Sequence, residues 1–187
     1  MIRALPAATL ALLCATVARG DERLLTEAQA PRALFGPDAA GTPGLLRLSG
    51  PELDELSRRV GRRVTLRDYR YLDVHRETGR DGGAATPLGV IVFLSVMGQN
   101  LPIDFAVGVR PDGTLQDLQL LVYREPYGKE IDDRRFRRQF AGKTARDPLV
   151  VGKDIDAISG ASISSIAAAY AAKKGLALAE ILRRRVR

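Results

Sequence analysis

Apolar positions along this chain change period several times, and each change marks an element. Leu53, Leu56 and Val60 recur at helical spacing behind Ser49-Gly50-Pro51-Glu52, a capping-box start with proline early in the helix, and Gly61 stops it. Val64 to Val74 is β-prone, with Tyr69, Tyr71 and Val74 set among charged residues. Gly79 to Gly83 reads as a loop. Leu88 to Met97 is a nearly continuous apolar run, the pattern of a central strand. Ile103 to Val109 and Thr114 to Tyr123 flank Pro111-Asp112-Gly113, a hairpin signal. Asp132 to Phe140 reads as a short basic helix with Phe136 and Phe140 four apart on one face, and Ser162 to Arg185 as a long final helix. A helix, a run of strands joined by short turns, then helices predict an α+β fold: an antiparallel sheet packed with helices, ending in a long C-terminal helix.

Before residue 50 the periodicity fades. Met1-Ile2-Arg3, an apolar run from Leu5 to Val17, and Ala18-Arg19-Gly20 together read as a secretory signal peptide over residues 1–20. The run is too short for an ordinary membrane span. The expectation is an exported, periplasmic or otherwise extracytoplasmic protein starting near Asp21. Leu24 to Gln29 reads as a short helix, and Phe35-Gly36-Pro37 and Gly41-Thr42-Pro43-Gly44 as breakers. Residues 21–50 are therefore expected to wrap over a domain spanning 51–187.

Charge and cysteine use narrow the chemistry. The chain has 29 basic and 22 acidic residues, net +7. Without Arg3 and Arg19 the balance is 27 against 22, about +5. Basic charge raises nucleic acid as a partner, but export and an aromatic content of 5% argue against it. The only cysteine, Cys14, falls in the leader. An exported chain without cysteine has no disulfide, iron–sulfur or zinc–thiolate site, so electron transfer would need an organic cofactor or a metal held by nitrogen and oxygen. His75, the single histidine, has no neighbours at ligand or triad spacing and reads as an ordinary strand residue.

The chemistry-bearing stretch is Asp156-Ala157-Ile158-Ser159-Gly160-Ala161-Ser162-Ile163-Ser164-Ser165, a turn of small residues opening into an apolar helix. Helix N-termini present unpaired N–H groups and favour anions. Gly160 and Ala161 leave room for a phosphate, and Ser159, Ser162, Ser164 and Ser165 offer hydroxyls to bind it or be esterified by it. The plainer reading is that Ser159 or Ser162 caps the helix.

The run Asp-x-x-Ser-Gly-Ala-Ser resembles the flavinylation motif of FMN-binding domains, found in subunits of the sodium-pumping NADH:quinone reductase and Rnf complexes and in small exported flavoproteins. Three further stretches are similar to that family: the hairpin run Ile103 to Gly113; Arg124-Glu125-Pro126-Tyr127-Gly128, with Tyr127 where many members carry glycine; and Phe136, Gln139-Phe140 and Gly142-Lys143. The likeness covers about residues 85 to 182. It implies FMN attached by a flavin transferase as a phosphoester on Ser162, with Asp156 at the acidic position of the motif. It also implies Glu125, Pro126 and Tyr127 near the flavin ring. The implied role is a non-catalytic electron carrier, serving a membrane quinone-linked complex, a cytochrome or another flavoprotein, and not nucleic acid. The alternatives are an exported flavoenzyme reducing a small acceptor, and a non-redox module holding a phosphate or nucleotide. Lys143 reads either as a phosphate neighbour or as a solvated residue. The basic tail Arg183 to Arg187 reads either as a favourable helix end or as a docking patch.

Overall fold

The computed structural model describes residues 22–77 and 85–186. Ten elements follow in order: β1 (Glu22–Arg23), α1 (Ala30–Phe35), β2 (Ala39–Arg47), α2 (Gly50–Val60), β3 (Asp68–Arg76), β4 (Thr86–Met97), β5 (Pro102–Val109), β6 (Leu115–Tyr123), α3 (Arg134–Arg137) and α4 (Ser162–Val186). A 3₁₀ turn, Lys129–Asp132, precedes α3. The strands form one six-stranded antiparallel sheet in the order β1-β6-β5-β4-β3-β2, so the predicted α+β class and long final helix are what the chain adopts.

Side chains alternate across a strand, and each face of this sheet is covered by helix. On one face Val92, Leu94, Ile103, Phe105, Val107 and Leu118 pack in a core that α2 and α4 complete. On the other, Ile91, Phe93, Ala106 and Leu121 meet Ala30 and Leu34 of α1. The unbroken apolar run of β4 follows from burial on both sides. Helix α4 lies close on the sheet because its inner face is small: Ala168, Ala171 and Ala172 are fully buried. A Cβ on Gly175 would sit 2.6 Å from Val107 Cγ1. The 25 residues of α4 span about 37 Å, the length of the domain.

The hairpin and α2 form as expected. Asp112 Oδ1 accepts the Thr114 N–H at 2.9 Å in the β5–β6 turn. Glu52 Oε2 accepts the Ser49 N–H at 2.8 Å, closing the capping box from one side.

Four expectations need correction. The segment expected to lie over the domain is woven into it: β1 and β2 are the two sheet edges, and α1 covers the second core. Its helix is Ala30–Phe35, with Pro31 in the first turn, and not Leu24 to Gln29. The residues read as breakers, Gly41 to Gly44, run inside β2. Pro43 is tolerated because β2 is an edge strand, and a Cβ on Gly44 would come 2.2 Å from Tyr71 Cζ. The basic helix is also shorter than predicted: Asp133 caps only Arg134–Arg137, and Phe136 and Phe140 meet edge-to-face at 5.4 Å. The predicted signal peptide with Cys14, the Gly79 to Gly83 loop and Arg187 lie outside the described residues. Among the described residues no helix is long and apolar enough to cross a membrane.

Candidate functional site

Two loops close on the N-terminal end of α4. The first, Gly98 to Leu101, joins β4 to β5. The second, Arg124 to Gly128, leaves β6. Glu125 ties them together: its Oε1 accepts the N–H groups of Asn100 at 2.6 Å and Leu101 at 2.9 Å. Burial works against a charge there, but the amides of Leu101, Asn100 and Gln99 outweigh it and hold the carboxyl below its ordinary range. A Cβ on Gly98 would lie 2.6 Å from the same oxygen. The other oxygen, Oε2, is buried with no partner among the described residues. Glu125 is thus no surface ion pair. Its chain neighbour Arg124 bonds Asp104 at 2.8 Å, and Lys129 bonds Glu22.

Tyr123, at the end of β6, joins the second loop to the helix. Its hydroxyl lies 2.6 Å from the Tyr127 carbonyl, to which it donates, and 2.9 Å from Ser164 Oγ. Burial raises this phenol above its ordinary value, against a smaller opposing effect of the Ser164 hydrogen bond. Gly128 has φ +98°, and a Cβ there would meet Ser164 Oγ at 2.5 Å and Tyr123 OH at 2.8 Å. Only glycine serves both the backbone and the space.

The turn before α4 is pinned from beneath. The Gln139 side chain bonds the Asp156 backbone both ways, accepting its N–H at 2.8 Å and donating to its carbonyl at 3.3 Å. Lys143 donates to Asp154 Oδ2 at 2.9 Å, and Asp154 also accepts the Leu149 and Val150 N–H groups. Lys143 is therefore not a freely solvated residue; it fixes the approach to the turn. Ser165 is fully buried. Its Oγ donates to the Ala161 carbonyl at 2.9 Å and accepts the Ile158 N–H at 3.2 Å.

The helix itself starts without a side-chain cap. The first intrahelical bond runs from Ser165 N–H to the Ala161 carbonyl, which makes Ala161 the N-cap residue. Alanine has no oxygen to offer, so the capping reading of Ser159 and Ser162 fails here. The N–H groups of Ser162, Ile163 and Ser164 have no backbone acceptor among the described residues. Ser159, Gly160, Ser162 and Asp156 are exposed, and a Cβ on Gly160 would meet nothing within 4 Å.

The ten residues singled out in the sequence thus divide. Ser159, Gly160, Ser162 and Asp156 stand open on the turn, with Pro126 and Tyr127 exposed on the facing loop. Ala161, Ser164, Ser165 and Glu125 are buried, and the two inner serines spend their hydroxyls on the protein. Tyr127 is 82% exposed and is not packed on the domain; Ile163 and Ile166, on the first turns of α4, are 45% and 44% exposed. The arrangement offers three free amides and an open hydroxyl to a phosphate, beside apolar surface that suits a planar ring.

Residues 98–177 match the family model described as the FMN-binding domain. The chain carries an FMN-binding domain. Both loops, the turn and the first half of α4 lie within the match. A comparison with curated proteins finds no match to the chain. The FMN-binding domain supplies a flavoprotein function that composition left open, and its uncapped helix end fits the phosphate of that cofactor. The sequence reading left out Tyr123 as part of the site, and named Gly128 and Gln139 only within family-like stretches, without their roles. The signal for Gly128 was present, because a glycine closing a Glu-Pro-Tyr-Gly turn suggests positive φ. Tyr123 and Gln139 act through partners 41 and 17 residues away, which no local pattern shows.

Proposed function

We propose that this FMN-binding protein carries its flavin as a phosphoester on Ser162 Oγ and works outside the cytoplasm as an electron carrier between redox proteins. The observation that supports this reading is the exposed Ser162 hydroxyl on a helix start whose first amides have no acceptor in the protein. When bound, FMN supplies one- or two-electron redox chemistry. The chain's own tasks are then positional. The amides of Ser162, Ile163 and Ser164 offset phosphate charge. The Glu125 clamp and the Tyr123–Ser164 bond hold the facing loops in place without the cofactor. Asp156 and Gly160 leave the hydroxyl accessible to a flavin transferase. In the attachment Ser162 Oγ loses its proton to solvent and forms a P–O bond to the flavin phosphate. The P–O bond joining that phosphate to its leaving group, in an activated phosphoanhydride flavin donor supplied by the transferase, breaks and the leaving group departs. The protein gains one FMN less one water. A quinone-linked membrane complex, a cytochrome or a second flavoprotein would be the exchange partners.

Intact mass tests the reading. The protein co-produced with a flavin transferase is expected to gain one FMN minus one water, and the Ser162→Ala variant to gain nothing. A yellow protein that loses its colour on denaturation would replace the phosphoester with a non-covalent complex. Rapid turnover with a soluble acceptor would replace the carrier with an enzyme.

A further inference from the structure

A cavity of about 610 Å³ lies away from the attachment turn, towards the C-terminal end of α4. Its floor is apolar: Val90 of β4, Val109 of β5, and Leu176 and Ala179 of α4. Its rim is formed by the β5–β6 turn, the loop at Thr144 to Arg146, and Arg183 on α4. Leu176 to Arg183 stand 14 to 21 residues beyond Ser162 on one helix, roughly 20–30 Å from the attachment turn. The cavity is therefore separate from the flavin site.

Its charge is unevenly spent. Arg110, Arg146 and Arg183 all line it, and none makes a salt bridge among the described residues. Arg110 reaches only the Thr114 hydroxyl, at 2.9 Å. Arg183 donates through Nη1 to the Pro111 carbonyl at 3.1 Å, while its Nε–H is buried with no partner. Gly113 makes room for that guanidinium, since a Cβ there would sit 2.6 Å from Arg183 Nη1. The carboxylates at the cavity are held mainly by other partners and only secondarily by these arginines. Thr114 and then the charges of Arg110 and Arg183 lower the Asp112 carboxyl below its ordinary range, and Arg59 and then more weakly Arg183 lower that of Glu180. Glu180 is bonded by Arg59 at 2.5 Å, and Asp112 accepts both the amide and the hydroxyl of Thr114. Asp73 has no salt-bridge partner among the described residues, and burial raises its carboxyl above the ordinary range, which weakens it as a counter-charge.

A buried guanidinium N–H without an acceptor is costly, and guanidinium groups match carboxylate and phosphate oxygens in a planar fork. The volume is that of a small-molecule pocket. We propose that this cavity binds a small organic anion, its carboxylate or phosphate held by Arg183 with Arg110 and Arg146, and its apolar body laid on Val90, Val109 and Leu176. The site lies too far from the attachment turn to exchange electrons with a flavin there by contact.

The test uses three probes of one shape: benzoate, phenyl phosphate and neutral benzamide. Each is titrated into the purified protein while backbone amide resonances are followed by NMR. The expected result is saturable shifts at residues 109–113 and 176–183 with one or both anions, and none with benzamide. Benzoate binding alone would mark a carboxylic acid as the ligand class, and phenyl phosphate alone a phosphate ester. Arg183→Gln is expected to weaken binding at least tenfold, while Arg183→Lys keeps part of it; unchanged amide dispersion elsewhere would show that both variants fold. The proposal is overturned if neither anion gives saturable shifts by about 10 mM, if benzamide binds equally well, or if folded Arg183→Gln binds like the parent. The titration reads no flavin signal, so its outcome is independent of the state of Ser162.

Discussion

The two ends of α4 are built on opposite plans. At the C-terminal end the last two arginines are paired, Arg184 with Glu55 and Arg185 with Glu52, while Arg183 lies on the hairpin carbonyl of Pro111 with its Nε–H unmet. At the N-terminal end the first amides have no acceptor, the cap residue is alanine, and a hydroxyl stands exposed beside them. A helix whose first backbone amides are left without an acceptor, on a domain this well packed, keeps those donors for something outside the chain. Arg184 and Arg185 thus also serve as anchors between α4 and α2.

The contrast breaks most severely at Gly128, whose missing side chain lets the second loop reach the open end. Gly128→Ala places a methyl against Ser164 and Tyr123 at φ +98° and is expected to cost about 3 kcal/mol, read as a lower urea midpoint. The same variant is expected to take up less flavin, because the loop that faces the helix end moves. Glu125→Gln keeps the shape and removes the charge that two amides share. A loss of about 1–2 kcal/mol is expected at neutral pH. The sign with pH is fixed by the depressed carboxyl: its contribution is complete above the ordinary carboxylate range and is lost as pH falls through the folded value. Above pH 6 the difference between parent and variant should be constant, and it should shrink in acid. The smallest effect belongs to the tied end. The Arg185 hydrogen bond, aided by Ser49, holds Glu52 at about 2 instead of 4.5. Its stabilisation should be full above pH 4.5 and fade towards pH 2. Partial exposure keeps it near 0.5 kcal/mol, so Glu52→Gln should flatten the acid limb of a stability–pH curve with little change at pH 7.

Much of the sheet was legible because its strands obey local rules. β4, β5 and β6 announce themselves by apolar content and a Pro-Asp-Gly turn, and α4 by its length. The edges were not legible. β2 carries two glycines and a proline that local propensity reads as loop. Only its pairing with β3, where Gly44 lies under Tyr71, makes those residues suitable. At the site, the turn Asp156 to Ser162 could be read directly, since small residues before an apolar helix have a physical meaning anywhere. The reading overreached at Ser164 and Ser165, where hydroxyls counted as ligands turned out to be joints. Whether a serine faces out or in depends on helix phase and on Tyr123, far away in the chain. Lys143 failed for the same reason: Asp154, its partner, is identified by a fold and not by a spacing.

The sheet order carries a consequence for how the domain assembles. From β2 to β6 every strand pairs with its neighbour in sequence, so that part can zip hairpin by hairpin with small loop-closure costs. The exception is β1, which joins Glu22 to Tyr123 across roughly 100 residues. Tyr123 is also the residue that reaches Ser164. The longest-range pairing in the sheet therefore ends on the residue that braces the open helix end, and ties Glu22 to the site from the far end of the described chain.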